Sequence, residues 1–275
     1  MTDHFFNHEL VKLHYYRFGS GPKAMLCFHG YGMHGKQFSV LKEKLGNEYT
    51  FYGFDLFFHK DTILHDQSIS NIKKGLSKLD FIQLMNAFCK HESIDRYSVI
   101  GYSLGTLYAS VLAEGNASRI DQLLLLAPSF LKIFPPFQVL SKNRIANYAF
   151  RKFFMSRKGI HLTLDFCRRL RLIDLKSHQI LSSEMATSDL RFAFYANVTY
   201  LRHLQVERNA LIQSLNKNKV DCFFIFGGRD KMYPNHLADE MIAKLNTAKK
   251  ITIDEDHDLV NQNLPAKLYE LIYDH

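Results

Sequence analysis

Seven short runs of β-branched and aromatic residues constrain this chain more than any other feature. They fall at 10–17, 23–28, 50–55, 96–101, 122–127, 219–226 and 249–253. The later ones, such as QLLLLA and KVDCFFIF, are apolar without alternation. A strand with one wet face alternates polar and apolar residues, whereas a continuously apolar strand needs cover on both faces. Helical periodicity lies between the runs, at 36–46, 77–91 and 104–114. In the second of these, Phe81, Leu84, Met85 and Phe88 follow i, i+3, i+4, i+7 and so line one helix face. The alternation implies βαβ units. It predicts an α/β fold with a mostly parallel, twisted central sheet and helices on both faces.

The pattern breaks once. From 129 to 215 the strand runs give way to helical, aromatic and basic sequence such as NRIANYAFRKFFMSRKG, entered through Pro135 and Pro136; strand pattern resumes at Val220. The expected organisation is therefore a core of 1–128 and 216–275, with a helical insertion, 129–215, hung between two strands. Charge divides the same way. The insertion holds 14 Lys and Arg against 5 Asp and Glu, while the remainder holds 21 against 22, so the net charge of +8 resides in the insertion.

Composition narrows the function classes. A hydrophobic content of 47% and a charged content of 23% are those of a soluble globular protein long enough to bury a sizeable core. No apolar run approaches the roughly 18 residues of a membrane span, and MTDHFFNHEL lacks the basic-then-apolar order of a secretory signal. Cys27, Cys89, Cys167 and Cys222 are scattered, with no CxxC pair. Free thiols in a reducing cytoplasm are expected. The 14 histidines do not pair at ligand spacing with carboxylates or thiols, so no metal is expected. No cofactor or nucleic-acid recognition motif is present either.

SVIGYSLGTLYAS, residues 98–110, carries the chemistry. Gly-x-Ser-x-Gly between a buried strand and a helix describes a turn tight enough to expose Ser103, with Gly101 and Gly105 where larger residues would strike neighbouring backbone. The helix starting at Leu104 points its unbonded N–H groups at an anion forming beside the Ser103 Oγ. A serine hydroxyl also needs a base and a group to orient that base. FFIFGGRDKMYP places Asp230 at a strand's C-terminal end, and ITIDEDHDLV does the same for His257. Such ends converge on one crevice in an open α/β sheet. Asp254, Glu255, Asp256 and Asp258 flank the histidine as rival acids; Asp230 is preferred because a strand terminus holds it more rigidly. The glycine-rich LCFHGYGMHGKQF follows an early strand, and the backbone N–H groups of Tyr31 and Leu104 are the expected oxyanion donors. His29 is expected to shape that turn by hydrogen bonding rather than to act as a base.

These features resemble the α/β-hydrolase fold superfamily. The likeness rests on the His29-Gly30 turn, the Gly101-Tyr-Ser-Leu-Gly105 elbow, Asp230 in GGRDKMYP, His257 near the C-terminus, and LDFIQLMNAFCKHESIDRYSVIGYSLG; it spans about 190 residues of core. The insertion lies where that family carries a variable cap, which usually supplies most of the substrate pocket. A serine nucleophile is unlike the family's aspartate-dependent epoxide hydrolases and haloalkane dehalogenases. Two departures stand out: LFFHKDT replaces a Pro-Gly-His-Gly-like turn, and Thr106 replaces a second glycine after the elbow.

The reading this supports first is hydrolysis of a carboxylic ester or thioester through an acyl-enzyme on Ser103, His257 and Asp230. An alternative applies the same triad to C–C cleavage or elimination on an acidic keto-acid. Enzymes of that kind need a cationic clamp, and one such synthase carries an arginine four residues after its serine, where this chain has Leu107. A third reading is a non-enzymatic small-molecule receptor or scaffold on the same fold. The basic insertion leaves three options open: contact with a lipid surface, an inward arginine on an acidic substrate, or a cap helix with a solvated basic face.

Overall fold

The computed structural model describes residues 1–132, 135–170 and 175–273. The strands, in chain order, are β1 (Thr2–Asn7), β2 (Val11–Gly19), β3 (Lys23–Phe28), β4 (Tyr49–Phe54), β5 (Ile63–Leu64), β6 (Tyr97–Tyr102), β7 (Ile120–Leu126), β8 (Asp221–Gly227) and β9 (Ala248–Ile253). The helices are α1 (Lys42–Leu45), α2 (Ile69–Lys74), α3 (Lys78–His91), α4 (Leu104–Asn116), α5 (Pro135–Lys142), α6 (Arg144–Met155), α7 (Arg157–Arg169), α8 (Leu175–Glu184), α9 (Ser188–Tyr200), α10 (Arg208–Asn218), α11 (Asp239–Ile242) and α12 (Leu264–Tyr273).

One sheet runs β1-β2-β4-β3-β6-β7-β8-β9, with β5 paired to β2. From β4 through β9 every pairing is parallel; β1, β2 and β5 join antiparallel. The chain steps outward from β3 to β4 on one side and returns to β6 on the other. This reversal of strand order is where an open sheet forms its crevice. All six residues of β4 and of β6 are buried, as continuous apolarity demands.

All seven expected strands form. The two unforeseen ones are short or exposed: β1 buries one residue of its six, Phe6, and β5 has two residues. The stretch expected as a helix over 36–46 is a 3-10 turn, Gly35–Leu41, running into α1. Helix α3 forms as its pattern dictates. Ser77 caps it by accepting from the Asp80 N–H at 3.0 Å, and Phe81, Leu84, Met85 and Phe88 are buried on one face. Phe88 meets Tyr15, Tyr52 and Phe54 edge-on, with centroids 5.0, 5.7 and 4.8 Å away.

The chain divides into two compact units. The core comprises Met1–His65, Ser77–Ile133 and Leu204–His275; the helical unit comprises Asp66–Leu76 and Phe134–His203. The helical unit is thus narrower at both ends than the expected 129–215, and it recruits α2 from before the elbow. Local bonding explains both differences. Ser129 donates to the Ser103 carbonyl at 2.8 Å, and α10 buries Leu211, Ile212 and Leu215 in the core. The Leu76 N–H donates to the Tyr200 carbonyl at 2.8 Å, and Arg202 donates to the Lys73 carbonyl, which ties α2 to α9. Within the helical unit, Phe150, Ile160, Leu164 and Tyr195 are buried, and Asn147 links the Leu140 carbonyl, Thr199 and Tyr195.

Replacing Phe88 with alanine removes a fully buried ring with four aromatic neighbours, counting Phe6. The expected loss is about 3–5 kcal/mol, read as a fall in the urea midpoint at unchanged slope.

Candidate active site

Strand β6 ends at Tyr102, and Ser103 turns the chain into α4 with φ 48° and ψ −115°. A left-handed φ is costly for any residue with a Cβ, and it persists only where surroundings enforce it. The glycines on either side do so. A Cβ on Gly105 would overlap the Phe28 carbonyl and stand 2.7 Å from the His29 oxygen; one on Gly101 would stand 2.7 Å from the Gly105 oxygen. The Ser103 N–H donates to the Leu126 carbonyl of β7 at 2.9 Å. Its carbonyl accepts the Thr106 hydroxyl at 2.6 Å, the Ser129 hydroxyl at 2.8 Å and the Thr106 N–H at 2.9 Å.

Asp230 follows β8 and is buried. One carboxylate oxygen accepts the N–H groups of Met232 and Tyr233, at 2.7 and 3.1 Å. The other lies 2.8 Å from His257 Nδ1, and His257 Nε2 lies 3.2 Å from Ser103 Oγ. An ionised carboxylate only accepts, so Nδ1 carries the proton and Nε2 turns its lone pair to the serine. The imidazole is 32% exposed against 1% for the Asp230 side chain, so solvent reaches the ring and not its carboxylate partner. Burial alone would push the Asp230 carboxyl up. The hydrogen bond and charge of His257 and the two backbone donors outweigh it, and the net shift is downward. Tyr102 donates to the His257 carbonyl at 2.8 Å; burial, then nearby carboxylates, raise its phenol and keep it a donor. The rival acids point elsewhere. Asp254 pairs with Arg229, Glu255 accepts from Asn263 at 2.7 Å, Asp256 accepts the Asp258 N–H at 2.9 Å, and Asp258 is exposed.

The turn after β3 lies beside Ser103: a Cβ built on Gly30 would stand 3.6 Å from the Ser103 Cβ. His29 is fully buried. Its Nδ1–H donates to the Gly30 carbonyl at 2.6 Å, and Nε2 accepts the Leu56 N–H at 3.0 Å. Burial, then neighbouring His59, push its pKa well down, so it remains a neutral brace of the turn. Tyr31 follows Gly30, and Leu104 is the first residue of α4.

Three features of the site were not read from the sequence. Thr106 and Ser129 hold the Ser103 carbonyl; the departure at Thr106 was visible, but its partner 23 residues on was not. His59, in LFFHKDT, accepts the Gly32 N–H at 3.1 Å, donates to the Phe57 carbonyl at 2.9 Å, and packs edge-on to Tyr31. These contacts brace the loop after β4 against the turn after β3. Asp55 accepts from Gly35 at 2.8 Å and from His14 Nδ1 at 2.7 Å. With Asp61, these two bring metal-type ligand atoms within 4.8 Å of one another. Direct hydrogen bonds already occupy both oxygens of Asp55, and the cluster ties β2 to the loop after β4.

The sequence profile of the alpha/beta hydrolase fold matches residues 23–261, from β3 to beyond His257. This chain belongs to that family. As such it is an enzyme of the hydrolase group. No curated protein matches it. Among solved structures it is similar to a carboxylesterase of Nitrososphaera gargenis (TM-score 0.68, 16% identity, 98% of this chain and 96% of that one). It also resembles a thermophilic esterase of Thermogutta terrifontis (TM-score 0.68, 13% identity, covering 96% and 94%). A thioesterase domain of the curacin biosynthetic pathway aligns over 99% of both chains at TM-score 0.63 and 15% identity.

Two measurements test this geometry. Gly105→Ala should cost about 1–3 kcal/mol of stability, because backbone rather than a mobile side chain must yield. Asp230 titrates below its ordinary value, so its contribution is full above about pH 4 and is lost as pH falls through the lowered value. The stability gap between wild type and Asp230→Asn should narrow in urea melts as pH drops from ~6 to ~3.

Proposed function

We propose that this hydrolase cleaves carboxylic esters or thioesters with Ser103 as nucleophile. The observation that carries the reading is the unbroken chain from Asp230 through His257 to Ser103 Oγ, at 2.8 and 3.2 Å. His257 Nε2 takes the hydroxyl proton as Oγ attacks the substrate carbonyl carbon. The oxyanion that forms is held by the backbone N–H groups of Tyr31 and Leu104. Protonated His257, stabilised by Asp230, returns the proton to the departing alcohol or thiol, leaving an acyl-Ser103 ester. Water, deprotonated by His257, then attacks the acyl carbon, and Ser103 leaves with its proton restored as the acid is released.

The fold's occurrence in a carboxylesterase, an esterase and a thioesterase domain supports ester chemistry. The rival reading, C–C cleavage or elimination on an acidic substrate, wants an unspent cation. Leu107 occupies the position where one such enzyme has arginine, and the buried Arg191 donates to the carbonyls of Met155, Met185 and Ala186. The ester reading is therefore favoured. A reducing, cytoplasmic setting is part of the same reading, since Cys27, Cys89, Cys167 and Cys222 are scattered with no CxxC pair.

A short-chain p-nitrophenyl ester should give burst release of p-nitrophenol. Ser103→Ala should lose the burst and fluorophosphonate labelling and drop kcat by at least about 10³-fold. Wild type that neither labels nor turns over the ester would overturn this assignment.

A further inference from the structure

Large apolar side chains facing solvent are unevenly spread. Among the described residues, nine of the sixteen lie in the helical unit, which holds less than a third of the chain. On α6, Ile145, Tyr148 and Lys152 follow i, i+3, i+7 on the exposed face, while Asn147 and Phe150 are buried opposite. On α7, Lys158, Leu162, Phe166 and Arg169 form the exposed stripe, opposite buried Ile160 and Leu164. Ile145 is 81% exposed, Leu162 66% and Phe166 59%. The two helices meet at Gly159, where a Cβ would strike the Phe153 carbonyl, and the exposed Phe153 ring adjoins that junction.

A solvated cap helix turns its apolar residues inward and leaves a polar face in water. Here the outward faces mix branched and aromatic side chains with cations. A patch of this kind marks an interaction surface. The occupant must accept both parts: apolar matter for the side chains, and negative charge for the cations. The unit carries 14 Lys and Arg against 5 Asp and Glu, so a second copy would set like charge against like. A bilayer surface bearing anionic headgroups supplies both. Side chains such as Leu162 and Phe166 enter the boundary beneath the headgroups, and Lys158 and Arg169 stay at the phosphates. No described helix is long and apolar enough to cross a membrane, so this contact is peripheral.

We propose that the helical unit docks the protein on anionic phospholipid bilayers through the exposed faces of α6 and α7. This inference stands apart from the hydrolytic reading, since it uses no residue of the Ser103 site.

The test is co-sedimentation of the full chain with vesicles of phosphatidylcholine, with and without phosphatidylglycerol. Binding should require phosphatidylglycerol and weaken as salt rises. Lys158→Gln with Arg169→Gln should lower the partition coefficient about fivefold per charge. Leu162→Ser with Phe166→Ser should abolish retention at unchanged melting temperature, and Ile145→Ser with Tyr148→Ser, on the other helix, should weaken it independently. Turnover of a soluble ester should be unaltered in all these variants, and Ser103→Ala should sediment like wild type, which separates this proposal from the catalytic one. It is overturned if wild type ignores both vesicle types, or if neither apolar pair alters binding. It is equally overturned if light scattering shows a dimer that Leu162→Ser with Phe166→Ser converts to monomer, which would make this face a contact between copies.

Discussion

The first turn of α4 lies against the end of β3 with no side chain between them, and the rest of the site hangs on that contact. Gly105 sits where any Cβ would overlap the Phe28 carbonyl, and Gly101 is packed almost as closely. With both neighbours pinned, Ser103 must take a left-handed φ, and that conformation leaves its hydroxyl at the C-terminal rim of the sheet. The strain is offset locally. The Ser103 backbone makes four hydrogen bonds, two of them to hydroxyls of Thr106 and Ser129.

The second constraint is sheet register. Asp230 and His257 lie far from Ser103 along the chain, yet β8 and β9 pair in parallel with Gly227 opposite Ile253. Their following loops therefore leave the sheet side by side, and the N–H groups of Gly228 and Arg229 donate to Ile253 and Glu255. Parallel pairing thus converts two distant loops into one rigid platform. The buried carboxylate and the partly exposed imidazole have different surroundings: the first is held by three donors, Met232 N–H, Tyr233 N–H and His257 Nδ1, and the second reaches solvent beside Ser103.

The helical unit follows different physics. Its interior is partly polar, with Asn147 and Arg191 satisfied by carbonyls and hydroxyls, and its exterior is partly apolar. Nearly neutral core and strongly basic helical unit are thus chemically distinct surfaces on one chain.

Strand identity and the glycine-fenced serine were legible in the sequence because each depends on local rules. Continuous apolarity demands burial on both faces, and a tight turn demands glycine, whatever lies elsewhere. The edge strand β1 was not legible, since its residues are mostly exposed and pairing with β2 alone holds it. The choice of Asp230 over four closer acids was only a preference until backbone geometry aimed its carboxylate at Nδ1. Nor could periodicity say which stripe of α6 and α7 faces outward, because both stripes carry large apolar residues. Such outcomes depend on contacts between residues distant in sequence: Ser129 reaching Ser103, α2 tied to α9, Phe150 claimed by Tyr195. Local composition determines what can be buried; only three-dimensional packing decides what is.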